Sequence, residues 1–339
     1  SAKTPIDRSP PAITSVWVSG DLNQVGVTFD KSVDPSTATD LAHYSISNGI
    51  IVFQASLENN QQTVMLETST HIPGSVYTLT VSDILDLARK SDTLSSSSRF
   101  YTASPVNGLV GRWLSKSYTG NSATDVSGFG WGGHTYGAVP EINTRGGFYF
   151  NGSDDYIQIP GDGHLLHLTE SNFTMSLMVR PESILSAVHD APVFIRVGGH
   201  PAYFYGISFT NDQRFQALVF HPDETRSIVT TSQVSLGKWY HVVMVVDEQT
   251  RKLKLFLDGE TVPNSPQQLG GDLVNLWADP PRDDRSGAYF IGSTMPDRGA
   301  GSFFTAYFHG AIADVRLYDH ALKPLEIQLL WQEQQQGHP

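Results

Sequence analysis

Apolar and polar residues alternate in short runs along most of this chain. Val25, Val27 and Phe29 alternate with Gly26, Thr28 and Asp30. Tyr77, Leu79 and Val81 alternate with Thr78, Thr80 and Ser82. Phe173, Met175, Leu177 and Val179 alternate with Thr174, Ser176, Met178 and Arg180, and Leu253, Leu255 and Leu257 with Lys252, Lys254 and Phe256. Successive side chains of a strand point to opposite faces, so period two predicts half-buried strands. Asn48-Gly49, Asn151-Gly152, Asp162-Gly163 and Asp258-Gly259 supply the positive φ angles of tight hairpin turns. One helix is expected, at the C-terminal end. Pro324 fits a first helical position, and Leu325, Ile327, Leu329, Leu330 and Trp331 follow at three- and four-residue spacings before a polar Gln/Glu tail.

The runs fall into two groups. Strands are predicted near 12–18, 24–30, 43–47, 50–56, 63–67, 76–82 and 98–102, the number and spacing of an immunoglobulin-like sandwich. A run of Ser from 95 to 98 and the linker Ser104-Pro105-Val106-Asn107-Gly108 then mark a boundary. Beyond it come many more strands and no alternating helices, which predicts a large antiparallel sandwich or jelly roll rather than an α/β fold. The expected organisation is a flexible segment 1–10, a first domain 11–103 and a second domain 104–335.

Composition narrows the function. The 339 residues carry 22 Lys plus Arg and 34 Asp plus Glu, a net charge of −12. No basic cluster is present, so a nucleic-acid backbone is excluded as a partner. No apolar run approaches the ~18 residues of a spanning helix, which argues against membrane insertion. There is no cysteine, which removes disulfides, thiolate metal sites and cysteine nucleophiles together. Charged residues reach only 17%, below the roughly 25% of ordinary domains. With 30 Gly and 11% aromatics, this composition suits an exported β protein, secreted or at a cell surface. The polar, Pro-rich start Ser1–Pro11 shows no signal peptide and reads as the beginning of a mature form or an excised fragment.

Two resemblances emerge from these residues. Val25-Gly-Val-Thr-Phe-Asp-Lys-Ser-Val-Asp-Pro-Ser-Thr-Ala38, Tyr44, Tyr77-Thr-Leu-Thr-Val81 and Asp86-Leu-Ala88 resemble bacterial Ig-like modules of surface-layer and secreted multidomain proteins. Ala88-Arg89-Lys90 stands where that family often has Ala-Gly-Asn. The second domain resembles a laminin-G-like, concanavalin A-type jelly roll. The carrying segments are Gly108–Trp113, Asp125-Val-Ser-Gly128, Gly147–Tyr156, Trp239-Tyr-His-Val-Val243, Leu255-Phe-Leu-Asp-Gly259 and Phe308–Tyr318 with Ala321-Leu322. The first resemblance implies a spacer, adhesion or presentation module. The second implies a fold shared by lectins, adhesion domains and glycan-cleaving enzymes.

The chemistry is less legible. The Glu-x-Asp-x-x-Glu string of glucanase relatives is absent, as is the Arg/Gln-x-His pattern of related lyases. Asp154 and Asp155 are adjacent and beside a turn, where turn stabilisation is the simpler role. The jelly-roll resemblance implies one structural calcium ion. Its matching residues are Asp125 and Asp314, although Ala313 stands where the family often has a first acid. The alternative is an Asp125 turn cap and an Asp314–Arg316 surface pair. The twelve His residues are scattered; satisfied structural roles are the default for them.

Sugar rings stack on exposed aromatics, while Asp, Asn and Arg fork onto hydroxyls. Three segments have that composition: Phe129–Tyr136, with Trp131 and His134; His200–Tyr205, with Tyr203 and Tyr205; and the long insertion with Trp277, Asp283, Asp284, Arg285 and Arg298. The expected function is therefore a binding protein for a glycan or a cell-surface protein, as part of a larger polysaccharide-processing or adhesive protein. Two alternatives stay open. One is a divergent glycoside hydrolase or polysaccharide lyase using Asp283, Asp284, Arg285 or His200. The other is a pair of structural spacers.

Overall fold

The computed structural model describes residues 9–88, 92–104, 106–115, 122–141, 147–160, 172–185, 189–197, 204–221, 225–271, 288–293 and 306–335. The chain divides into two compact units, one of residues 1–107 and 126–130, the other of 108–125 and 131–339.

The first unit has seven strands: β1 (Ile13–Val18), β2 (Gln24–Phe29), β3 (Tyr44–Ile46), β4 (Val52–Leu57), β5 (Thr63–Thr68), β6 (Val76–Leu85) and β7 (Thr93–Thr102). They form a four-stranded sheet in the order β1-β2-β5-β4 and a three-stranded sheet β3-β6-β7. The alternating Val25, Val27 and Phe29 meet Val64, Leu66, Leu79 and Val81 in one core. A four-residue helix α1 (Pro35–Ala38) follows Asp34, whose carboxylate accepts the Ser36 N–H at 2.9 Å. One turn is too short for helical periodicity to reveal, but Asp34-Pro35 is a cap followed by a first-turn proline.

Several polar groups in this core are paired. The Tyr77 hydroxyl accepts the Ile72 N–H at 2.9 Å. His71 Nδ1 lies 3.0 Å from the Leu22 carbonyl and Nε2 lies 2.7 Å from the Tyr101 hydroxyl. A carbonyl only accepts, so Nδ1 carries the proton and Nε2 accepts from Tyr101. Burial pushes the His71 pKa down. Residues 126–130 also belong to this unit: Thr102 Oγ1 donates to the Val126 carbonyl at 2.7 Å, and Val16 N–H to that of Gly128 at 3.2 Å. Gly128 has φ +113°, and a Cβ there would lie 1.8 Å from the Val16 carbonyl oxygen.

The second unit continues with β8 (Leu109–Leu114), β9 (Ser122–Asp125), β10 (Gly133–Tyr136), β11 (Val139–Pro140), β12 (Phe148–Asn151) and β13 (Tyr156–Ile159). Next come β14 (Phe173–Pro181), β15 (Ala191–Val197), β16 (Phe204–Phe209), β17 (Phe215–Phe220), β18 (Arg226–Thr230) and β19 (Tyr240–Asp247). The last strands are β20 (Lys252–Leu257), β21 (Glu260–Thr261), β22 (Gln267–Gln268), β23 (Tyr289–Ile291) and β24 (His309–Tyr318), before α2 (Pro324–Gln335). One sheet is built around β24, which pairs with β14 along one edge and with β12 and β8 along the other; β14-β19-β20 extends it. The other sheet runs β10-β13-β23-β15-β16-β17-β18. Strand β9 hydrogen-bonds to both β8 and β10 and joins the two. Phe173, Met175, Leu177 and Val179 of β14 face Phe194, Tyr205, Ile207 and Ile291 of the opposite sheet in a continuous core. This is a concanavalin A-like jelly roll, all-β with one short C-terminal helix.

Helix α2 begins at Pro324, as the sequence predicts, but its buried stripe is Ile327, Leu330, Glu333 and Gln334. Leu325 and Leu329 are exposed instead. Below the helix, β24 carries a bulge at Asp314 (φ +48°), where Met178 pairs with Ala313 and Ser176 with Arg316. The bulge places Asp314 and Arg316 on the sheet's outer face, where both are buried with Arg112, Glu333 and Gln334. The expected surface pair is thus an internal ion network. Among the described residues no helix is long and apolar enough to cross a membrane.

Candidate functional site

The outer face of the β10–β18 sheet carries the clearest candidate. In β10, β13, β23 and β16, Thr135, Ile157, Ile291 and Ile207 point inward, so their neighbours point outward. The register then lines up His134, Gln158, Phe290, Ile195, Gly206, Leu218 and Ile228 as one row across the sheet. Gly206 puts no side chain in the middle of it. Beside the row, Tyr136 pairs with Tyr156. Their rings are stacked, with centroids 4.3 Å apart and planes at 10°. The His134 ring meets Tyr136 edge-on at 4.5 Å. Tyr156 is buried with Ile195, Val197, Ala288 and Phe290, whereas Tyr136 is 40% exposed. An exposed ring backed by a buried one is a fixed, flat apolar platform. His134, exposed, and Gln158, half-buried, add hydrogen-bonding groups at its edge.

A polar cluster flanks the far side of this face. Gln216 Nε2 donates to Asp190 Oδ2 at 3.3 Å and to Ser208 Oγ at 3.4 Å. Burial pushes the Asp190 pKa up, against the opposing pull of its backbone hydrogen bond.

The structure distributes the sequence candidates unevenly. His134 joins the aromatic platform. Residues 133–136 are strand β10; this is why His134 and Tyr136, two apart, share a face. Trp131 is not an open stacking ring. Its ring packs against the sandwich core, and its backbone carbonyl accepts the Trp113 Nε1–H at 2.7 Å. Tyr205 is corrected outright. It points into the core with 1% exposure, and its hydroxyl lies 3.0 Å from that of Tyr289. Burial raises its pKa well above the ordinary tyrosine value. A strand's alternation sends it inward with Ile207, so it has no face to offer a ligand. Tyr203, Trp277, Asp283, Asp284, Arg285 and Arg298 lie outside the described residues, as does His200.

The two expected calcium ligands are engaged by the protein itself, Asp125 by backbone N–H groups and Asp314 by guanidiniums. Asp125 Oδ1 accepts the backbone N–H of Arg112 at 2.9 Å, and Oδ2 accepts that of Trp131 at 2.8 Å. The same Arg112 turns its Nε to Asp314 Oδ1 at 2.6 Å. Arg316 holds both Asp314 oxygens, from Nε at 3.0 Å and Nη2 at 2.5 Å, and Gln334 adds a further donor. Burial alone would raise the Asp314 pKa. The two guanidiniums outweigh it and hold the carboxyl well below the usual range. A calcium ion at Asp314 would sit against two guanidiniums, so this donor set does not fit one. Among the described residues no group of three or more His, Asp or Glu side chains is arranged to hold a metal. Asp155 also plays a turn role, accepting the Asn151 N–H at 2.8 Å.

His241 and His221 serve the packing. His241 lies under α2, stacked on Trp331 with centroids 6.0 Å apart, and its Nε2 is 2.9 Å from Ser176 Oγ. His221 Nε2 is 2.8 Å from Ser227 Oγ. Sequence reasoning missed Tyr156 as the backing ring, because the pairing that stacks it on Tyr136 is a tertiary register.

Known structures carry the same fold. A botulinum neurotoxin DC binding domain described in complex with SialylT superposes with a TM-score of 0.50 at 11% identity, covering 67% of this chain and 52% of that one. The corresponding structure in complex with rat synaptotagmin II gives the same values. A botulinum neurotoxin type C structure, whose cell entry is described as dependent on two ganglioside molecules, has a TM-score of 0.50 at 11% identity over 67% of this chain and 51% of that one. This chain therefore spans about half the length of these neighbours, and at such identity the likeness is one of fold. A family description, Laminin_G_3, matches residues 151–328, more than half of the 339 residues. Through this jelly roll the chain belongs to the concanavalin A-like lectin/glucanases superfamily.

Proposed function

We propose that this protein is a secreted or cell-surface glycan-binding protein, whose jelly roll takes a sugar ring on the Tyr136–Tyr156 platform. The observation that carries the reading is the exposed Tyr136 ring held flat on a buried Tyr156 at 4.3 Å. A pyranose presents C–H groups on one face and hydroxyls around its rim. Tyr136 offers a complementary apolar face, while His134 and Gln158 stand where rim hydroxyls would fall. The platform is held by strand pairing on both sides, so little freedom is lost on binding. Fold neighbours described with SialylT and with gangliosides support a glycan ligand for this architecture.

The first unit is proposed to be an Ig-like spacer that presents the jelly roll. Its sheets, β1-β2-β5-β4 and β3-β6-β7, follow the ABED and CFG order of that fold. Tyr77 near the start of the sixth strand, bonded back to the Ile72 N–H, matches the tyrosine corner. Affinity electrophoresis through a panel of soluble polysaccharides tests the binding reading. Retardation by at least one polysaccharide, weakened in Tyr136→Ala, is the expected result. Retardation unchanged in Tyr136→Ala, or none across the panel, would refute the platform.

A further inference from the structure

On the other sheet, a second group of side chains is joined by a directional chain of hydrogen bonds. Ser183 Oγ lies 2.5 Å from His309 Nδ1, and His309 Nε2 lies 2.9 Å from the Tyr149 hydroxyl. Tyr149 donates in turn to Glu182 Oε2 at 3.1 Å. Glu182 Oε1 accepts from Arg180 Nη2 at 2.9 Å. Arg180 also reaches Glu141 at 3.3 Å and lies over the Trp239 ring, 5.3 Å from its centroid.

The donor inventory fixes the direction of this chain. A carboxylate only accepts, so the single proton of the Tyr149 hydroxyl is committed to Glu182. The Tyr149 oxygen must then accept from His309 Nε2–H. In the neutral ring that leaves Nδ1 with a lone pair, and Ser183 donates its hydroxyl proton to it. Burial and the hydrogen bond to Glu182 both raise the Tyr149 pKa, which keeps its proton in place. A serine hydroxyl on a basic imidazole nitrogen, with the ring oriented by a further group, is the arrangement of an activated nucleophile. Ser183, His309 and Tyr149 are only half-buried, and the exposed Leu185 lies beside His309 across Gly152. The reacting atom is therefore within reach of a ligand.

We propose that Ser183 is a reactive nucleophile, with His309 as its general base, acting on a neutral acyl ester. The neutral class follows from charge: Glu141 and Glu182 outnumber Arg180, so an anionic phosphoryl or sulfate ester is repelled. The Ser183 oxygen bonds to the ester carbonyl carbon, and its proton passes to His309 Nδ1. The carbon–oxygen bond to the alcohol breaks, and the alcohol oxygen takes that proton. Water then attacks the acyl-serine, gives a proton to Ser183 through His309, and releases the carboxylic acid. Tyr149 and Glu182 are positioning residues that hold the imidazole. This proposal does not depend on the glycan reading.

The test is covalent labelling of the whole chain with a fluorophosphonate, followed by peptide mapping and by hydrolysis of p-nitrophenyl acetate. A single adduct at Ser183 is expected, absent in Ser183→Ala. His309→Gln, with circular dichroism confirming its fold, should slow labelling by about 100-fold, the scale of a positioned base. Tyr149→Phe, tested for the same slowing and for restoration by no other aromatic than Tyr, checks the positioning role. No adduct at Ser183, or adducts spread over several serines at the rate seen in urea-unfolded protein, overturns the proposal. So does a Ser183 adduct whose rate is unchanged in a folded His309→Gln variant.

Discussion

Arg316 and Glu333 face each other fork to fork, Nη2 to Oε1 at 2.5 Å and Nη1 to Oε2 at 3.2 Å, and so pin the C-terminal helix to the last strand. Arg316 is 1% exposed, and burial of such a pair is favourable only when every charge is matched. Here Arg112, Asp314, Arg316 and Glu333 give two cations and two anions. Removing one partner leaves a buried charge alone. Glu333→Ala should therefore lower stability by about 3–5 kcal/mol, measured by urea denaturation, and should expose the His241–Trp331 stack to quencher.

Acid should act through Asp314. Its pKa is depressed in the folded state by Arg112 and Arg316, so it contributes stability that is present above its unfolded value of about 3.9. That contribution falls away as pH drops below this value toward the folded pKa. Thermal midpoints should hold steady from neutral pH to about pH 4 on this account and then fall. Asp314→Asn should start lower and show a shallower acid limb.

Tyr136 and Tyr205 should separate binding from stability. Tyr136→Ala removes the exposed platform and should cost about 0.5–1.5 kcal/mol of ligand affinity, up to about tenfold, with the melting midpoint nearly unchanged. Tyr205→Ala empties a core position and should cost about 3–5 kcal/mol of stability. Titration with a retarding polysaccharide and calorimetry of each variant would read both.

Calcium should not act through Asp125 and Asp314. The shift in melting midpoint caused by Asp125→Asn or Asp314→Asn should be the same with added calcium as with a chelator. A shift present only with calcium would contradict the Arg112-centred arrangement.

Gly128 should resist substitution. With φ +113° and the Val16 carbonyl oxygen 1.8 Å from a would-be Cβ, Gly128→Ala forces both strain and a backbone clash. A loss of about 1–3 kcal/mol from the backbone conformation alone is expected, readable by urea denaturation.

The fold was largely written in local pattern. Val25-Val27-Phe29 and Phe173-Met175-Leu177-Val179 became core faces because a strand's period of two is imposed by its own backbone. Pro324 started a helix because its ring presets φ for a first turn. The residues of the proposed sites were less legible for the opposite reason. Tyr136 meets Tyr156, and Ser183 meets His309, through strand pairings between distant segments, and no local rule specifies a register. The jelly-roll resemblance marked Asp314 as a calcium ligand because a matching segment cannot show a bulge, nor the guanidinium of Arg112 that lies against it.

The sequence by itself determined that this is an all-β chain with one terminal helix and no thiol chemistry, since these depend on alternation, turn residues and composition. Only the tertiary structure decided which aromatics are open and which acids are occupied. It turned Tyr205 inward and Tyr136 outward, covered Arg316 with α2, and gave Asp314 two cations of the protein's own. Exposure and charge pairing are set by what packs against a side chain, and in this jelly roll those neighbours come from strands far apart in the chain.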